Sequence, residues 1–136
     1  MPEFSSSIAP DAKVRDFVSS FYAISDDPTK NEEWVDHFMA DSTLVMGNDA
    51  VRGVEEIRKL REKMWEKVVA RKHSPGKVFE GSFPSSGHTN AFMLSGDLEY
   101  KLKTGETQNV SWAAYADVCE VDGRLKLKHY RVWIQR

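Results

Sequence analysis

Two imidazoles facing one small molecule can remove a proton at one end and protonate a leaving group at the other. A neutral histidine accepts a proton near neutral pH and a protonated one donates it. His73 and His129 are the candidates for this work, and dehydration or double-bond isomerisation needs little more. Tyr22 and Asn90 can donate hydrogen bonds to developing oxyanion charge. Arg131 has the planar fork that suits a carboxylate, phenolate or enolate. Trp65, Trp112 and Trp133, with Trp34, Met46 and Phe92, could line a substrate-binding cavity for a flat hydrophobic molecule.

Each of these residues also has a plainer reading. His73 stands beside Ser74-Pro75, as a strand-edge histidine would, and His129 could be a core imidazole satisfied by a carbonyl or by Arg131. Arg131 could sit in a buried ion pair. His88 follows Ser85-Ser86-Gly87, which suits an exposed loop end. Tyr22 could cap the core, and tryptophans are more often core than cavity wall.

Composition narrows the classes. At 136 residues, with 40% hydrophobic and 29% charged residues, the chain fits one soluble globular domain. A net charge of −2 predicts no attraction to nucleic acid or an anionic membrane. A single cysteine, Cys119, excludes an intrachain disulfide framework and a cysteine zinc cluster. The start, MPEFSSSIAP, lacks the basic and apolar regions of a secretory signal, and no apolar run is long enough to span a bilayer, so a cytoplasmic location is expected. No Walker loop, G-x-G-x-x-G, G-x-S-x-G or H-x-x-x-H spacing is present. Neither a cofactor nor a metal is therefore expected.

The elements that must position these side chains follow from hydrophobic period. Val14, Phe17, Val18, Phe21 and Tyr22 make one helical face after Pro10 and Asp11. SDDPTKN breaks that helix, and Trp34, Val35, Phe38 and Met39 predict a short second one capped by Asn31. STLVMG reads as a brief strand and NDAVRG as an irregular link. Val54, Ile57, Leu60, Met64, Trp65 and Val68 predict a third helix of about four turns. From Arg71 the period becomes alternating, giving strands near 73–82, 88–103, 107–121 and 125–135. Thr104-Gly105 and Asp122-Gly123 have the chemistry of two-residue hairpin turns. Segregated helices and an antiparallel meander make an α+β domain over 11–136, behind a flexible N-terminus at 1–10.

The last hairpin raises a question of register. With Asp122-Gly123 as the turn and no irregularity, Ala116 faces His129, Ala114 faces Arg131 and Trp112 faces Trp133. Small residues opposite large polar ones leave room above a sheet, as a pocket floor does. One β-bulge would turn His129 and Arg131 to the other face.

Taken together, FVSSFYAISDD, WVDHFMADSTLVMGNDAVRGVEEIR, RKHSPGKVF and DGRLKLKHYRVW, in this order, resemble the nuclear transport factor two-like superfamily. The likeness is to its SnoaL-like and scytalone-dehydratase-like enzymes. It implies a cone-shaped α+β barrel, with three N-terminal helices on a curved, mainly antiparallel sheet, a pocket between sheet and helices, and a homodimer packing sheet to sheet. It implies a pocket tyrosine at Tyr22 and a catalytic histidine at His73, with His88 and Asn90 at the start of the next strand, where scytalone dehydratase places another. The general base of ketosteroid isomerase falls on Met46, so that base is not expected. Asp117 could match that enzyme's second acid, although the hairpin register turns it outward. The resulting expectation is a cofactor-independent lyase or isomerase acting on an aromatic or polyketide-like small molecule. The alternative is a non-catalytic binding or dimerisation module.

Overall fold

The computed structural model describes residues 3–4, 12–82 and 90–135. Helix α1 (Ala12–Ser25) buries the predicted face: Val14, Phe17, Val18 and Phe21 are all covered. It stops where Asp27 turns the chain, accepting hydrogen bonds from the Thr29 amide and hydroxyl at 2.9 and 2.6 Å.

Four local expectations fail, and for all but the Asn31 cap the reason is that sheet pairing overrides helical spacing. Helix α2 (Asn31–Val35) ends before Phe38 and Met39, which open strand β2 (Phe38–Met46) beside the last strand. Asn31 lies inside α2 and Lys30 caps it, without a side-chain hydrogen bond. NDAVRG is no irregular link, because Gly47 at φ 60° reverses the chain and strand β3 (Asp49–Arg52) pairs back on β2. Helix α3 (Val54–Lys63) stops short of Val68, which instead begins β4 (Val68–Ser82) opposite Leu102.

The meander of β5 (Asn90–Leu102), β6 (Thr107–Val121) and β7 (Arg124–Gln135) matches the expected strands closely. Asp122 and Gly123 both take positive φ, 51° and 80°, as a type I′ hairpin requires. A short strand β1 (Glu3–Phe4), within the segment expected to be flexible, pairs parallel to β4. The sheet runs β1-β4-β5-β6-β7-β2-β3, antiparallel except for the β1–β4 and β2–β7 pairs.

The helices cover one concave face of this sheet, and two irregularities shape it. The first lies at Pro75 to Lys77, where register slips against β5. Gly96 pairs with Pro75 there, and a Cβ on it would sit 2.3 Å from the Ser74 carbonyl oxygen, so only glycine permits this approach.

The second is a bulge in β7. Val118 pairs with Leu127 but Asp117 pairs with His129, which leaves Lys128 as the extra residue. The expected Ala116–His129 pairing is therefore replaced by Ala116–Tyr130. Beyond the bulge the faces exchange: Tyr130 and Val132 are buried among the helices, while His129, Arg131 and Trp133 lie on the convex face. Parallel pairing to β2 accounts for the bulge, because the Leu127 carbonyl accepts from the buried Ser42 hydroxyl at 2.5 Å and its amide donates to the His37 carbonyl.

Candidate active site

Asp26, just past the C-terminus of α1, meets His73 on β4. Its Oδ1 lies 2.6 Å from His73 Nδ1, and its two oxygens accept from the His73 backbone amide at 3.1 and 3.0 Å. An ionised carboxylate only accepts, so Nδ1 carries the proton, and in the neutral ring Nε2 is then the nitrogen with the free lone pair. The histidine side chain is 12% exposed and that of Asp26 23%. Ring packing fixes the imidazole further: Tyr22 lies tilted against it at 5.2 Å and Trp112 meets it edge-on at 5.5 Å, centroid to centroid. An imidazole held on two sides with one basic nitrogen unengaged is suited to take a proton from carbon.

Tyr22 does not face His73 with its hydroxyl. That group lies 2.6 Å from the hydroxyl of Tyr130, and both residues are buried. Two phenols sharing one hydrogen bond hold a second proton for another acceptor. Burial pushes both phenols above their ordinary range, Tyr22 also through its Tyr130 neighbour, so both stay protonated as donors.

His73 and Tyr130 line an inner chamber of about 30 Å³, together with Trp112, Ser25 and Trp34. It has room for little more than a water or a small reacting group. Met46, Met64, Arg71, Tyr100 and Ile134 line both this chamber and an outer cavity of about 940 Å³, which opens between α3, the β2–β3 turn and the β5–β6 hairpin. The second volume would hold the body of a drug-sized molecule.

Behind the chamber, Arg61 on α3 is fully buried and joins α1 to α2. Its Nε donates to Asn31 Oδ1 at 2.8 Å, Nη1 to the Ser25 carbonyl at 2.9 Å, and Nη2 to the carbonyls of Asp27 and Ile24 at 3.1 and 3.3 Å. Its guanidinium also stacks on Trp34 and Trp65. It thereby grips the chain on both sides of Asp26. Burial, with Arg71 nearby, brings its pKa down to about 10, which leaves it charged at neutral pH.

The expected site residues divide by geometry. His73, Trp112 and Met46 line the inner chamber, and Tyr22 backs it through Tyr130. His129 and Arg131 are outside it: His129 lies near Tyr115 on the convex face, and Arg131 stacks there on Trp133, which is 42% exposed. Phe92 is buried under Phe17 in the core, and Trp65 packs between the guanidinium groups of Arg61 and Arg71. Asp117 lies on the convex face opposite His129. Asn90 opens β5, but its side chain, like the whole of His88, lies outside the described residues. Sequence reasoning passed over Asp26, Arg71 and Tyr130. Asp26 sits in a stretch that reads as a helix breaker, and its partner is 47 residues away.

The architecture is that of the nuclear transport factor two-like, SnoaL-like fold: three helices on a curved, mainly antiparallel sheet around a cone-like pocket. Solved structures share it at low identity. A protein proposed to be a scytalone dehydratase from Novosphingobium aromaticivorans superposes with a TM-score of 0.77 at 13% identity, over 91% of this chain and 83% of that one. A hexachlorocyclohexane dehydrochlorinase, LinA-type3 from Novosphingobium barchaimii, gives 0.78 at 12%, over 92% and 86%. A proposed calcium/calmodulin dependent protein kinase II association domain from Xanthomonas campestris gives 0.79 at 12%, over 97% and 93%. No protein-family model and no curated protein sequence matches the chain. Among the described residues no helix is long and apolar enough to cross a membrane.

Proposed function

We propose that this protein is a cofactor-independent lyase or isomerase acting on a small aromatic or polyketide-like molecule. The observation that carries the reading is the Asp26–His73 pair at the wall of the inner chamber. His73 Nε2 takes a proton from a carbon, and the electrons of the broken C–H bond form a double bond. In an elimination the adjacent carbon's bond to its leaving group breaks as the double bond forms, and the group departs with that electron pair. In an isomerisation the double bond forms as the electrons of a neighbouring carbonyl move onto oxygen, and the resulting enolate is reprotonated at another carbon. Asp26 holds the tautomer and stabilises the imidazolium that forms. The Tyr22–Tyr130 pair supplies a hydrogen bond to oxygen on which charge develops. Two of the solved structures with this fold are described as a dehydrochlorinase and a proposed dehydratase, both elimination activities.

The second reading, a binding or association module, draws on the small inner chamber and on the convex face, where Phe79, Met93 and Trp133 are 56%, 42% and 42% exposed. That face suits a homodimer with either reading.

The test is a panel of aromatic and polyketide-like compounds with an acidic C–H beside a leaving group. Wild-type turnover should fall about 10²–10⁴-fold in His73→Ala and hold in His129→Ala. Full turnover in His73→Ala would sink the mechanism.

A further inference from the structure

Arg71 is 8% exposed, and among the described residues no carboxylate lies within ion-pairing distance of it. Its Nη2 donates to the Met64 carbonyl at 2.8 Å, while its Nε is buried without any hydrogen-bond partner. The guanidinium is clamped between rings, 4.8 Å from the Trp65 centroid and 5.2 Å from that of Tyr100. Arg61, the other buried arginine, spends its donors on four oxygens of the scaffold. Arg71 has one such contact and stands where the outer cavity narrows into the inner chamber, lining both.

A buried cation with an unused donor costs several kcal/mol unless something compensates it. The faces of Trp65 and Tyr100 and the nearby charge of Asp26 offset part of that cost, but Nε is left without a partner, and the position faces ligand space. The outer cavity has matching polarity, with Lys63, Lys67, Lys103 and Arg71 in its lining against the acids Asp49 and Glu66. A cationic, low-dielectric funnel raises the local concentration of anions.

We propose that Arg71 is an anion receptor at the neck of the pocket, so that the natural ligand is an anionic aromatic molecule whose carboxylate or phenolate seats on this guanidinium. The seated anion fixes the depth to which the rest of the molecule enters toward His73. Arg71 is thus a specificity-determining residue. Its role in substrate selection rests on the catalytic reading above, whereas the binding preference does not.

The test compares 2-naphthoate with its uncharged isostere 2-naphthamide by calorimetry at low ionic strength, on wild type and on His73→Ala, Arg71→Met and Arg71→Lys. Naphthoate should bind wild type and His73→Ala at least tenfold more tightly than the amide. Arg71→Met should bring that ratio close to one, and Arg71→Lys should keep part of it. Because His73→Ala is included, loss of chemistry and loss of anion selection are read separately. A second reading needs no variant: the wild-type Arg71 Nε–H resonance should shift on adding naphthoate and stay in place with naphthamide. Equal affinities in wild type, a preference that survives Arg71→Met, or no binding of either compound at millimolar concentration would each overturn the proposal.

Discussion

Replacing Arg61 by methionine, which keeps the length of the stem and removes the fork, should be the most damaging single change behind the site. The side chain has no carboxylate partner to be removed with it; its partners are one side-chain amide and three backbone carbonyls that a hydrophobic replacement cannot satisfy. A buried acceptor left without its donor typically costs about 1–3 kcal/mol, so four of them, partly recovered by relaxation, should cost about 3–5 kcal/mol together. With a urea dependence of about 1–3 kcal/mol per molar for a small protein, the unfolding midpoint should drop by about 2 M. Lysine keeps the charge but offers a point donor, so Arg61→Lys should recover less than half of the loss. Trp34 and Trp65 stack on the guanidinium, so their fluorescence should report the change even where the chain stays folded. A loss of under 1 kcal/mol for Arg61→Met would refute the claim that this residue holds the chain around Asp26.

Two further outcomes test the fold around the pocket. Gly96→Ala puts a methyl 2.3 Å from a backbone oxygen and 3.0 Å from Pro75 Cα, so it should destabilise by at least about 1–3 kcal/mol in urea titration, while Gly105→Ala, with nothing within 4 Å, should reflect only its φ of 94°. His37 is buried against Phe17 and Phe21 with Nδ1 on the Glu33 carbonyl, and burial holds its pKa below the ordinary 6.5. The unfolded chain then binds the proton more readily than the folded one. Its contribution is full above about pH 6.5 and lost as pH falls, so urea midpoints should decline between pH 7 and 5 more steeply in wild type than in His37→Gln.

Most of the fold could be read from the sequence because helical and alternating periods are local signals, and α1, the meander and the Asp122-Gly123 turn lie where they predict. The missed strand starts share one cause. Phe38, Asp49 and Val68 enter strands because of partners far along the chain, and no local spacing reports that. The same limit decided the site. The alternation through LKLKHYRVW is genuine on each side of Lys128, but the bulge is set by pairing with β2, so Tyr130 takes the inward place expected of His129. His73 and Tyr22 were singled out through a family resemblance. Asp26 was not, since its role consists of a contact to a residue 47 positions away.

The most direct test of the central claim, that Asp26 holds His73 with an unprotonated Nε2 toward the chamber, is a long-range ¹H–¹⁵N spectrum of the histidine rings at pH 8, where an ordinary imidazole is neutral. His73 should appear as the Nδ1–H tautomer in wild type, and Asp26→Ala should lose that preference. An Nε2–H tautomer in wild type, or a spectrum unchanged by Asp26→Ala, would contradict the account.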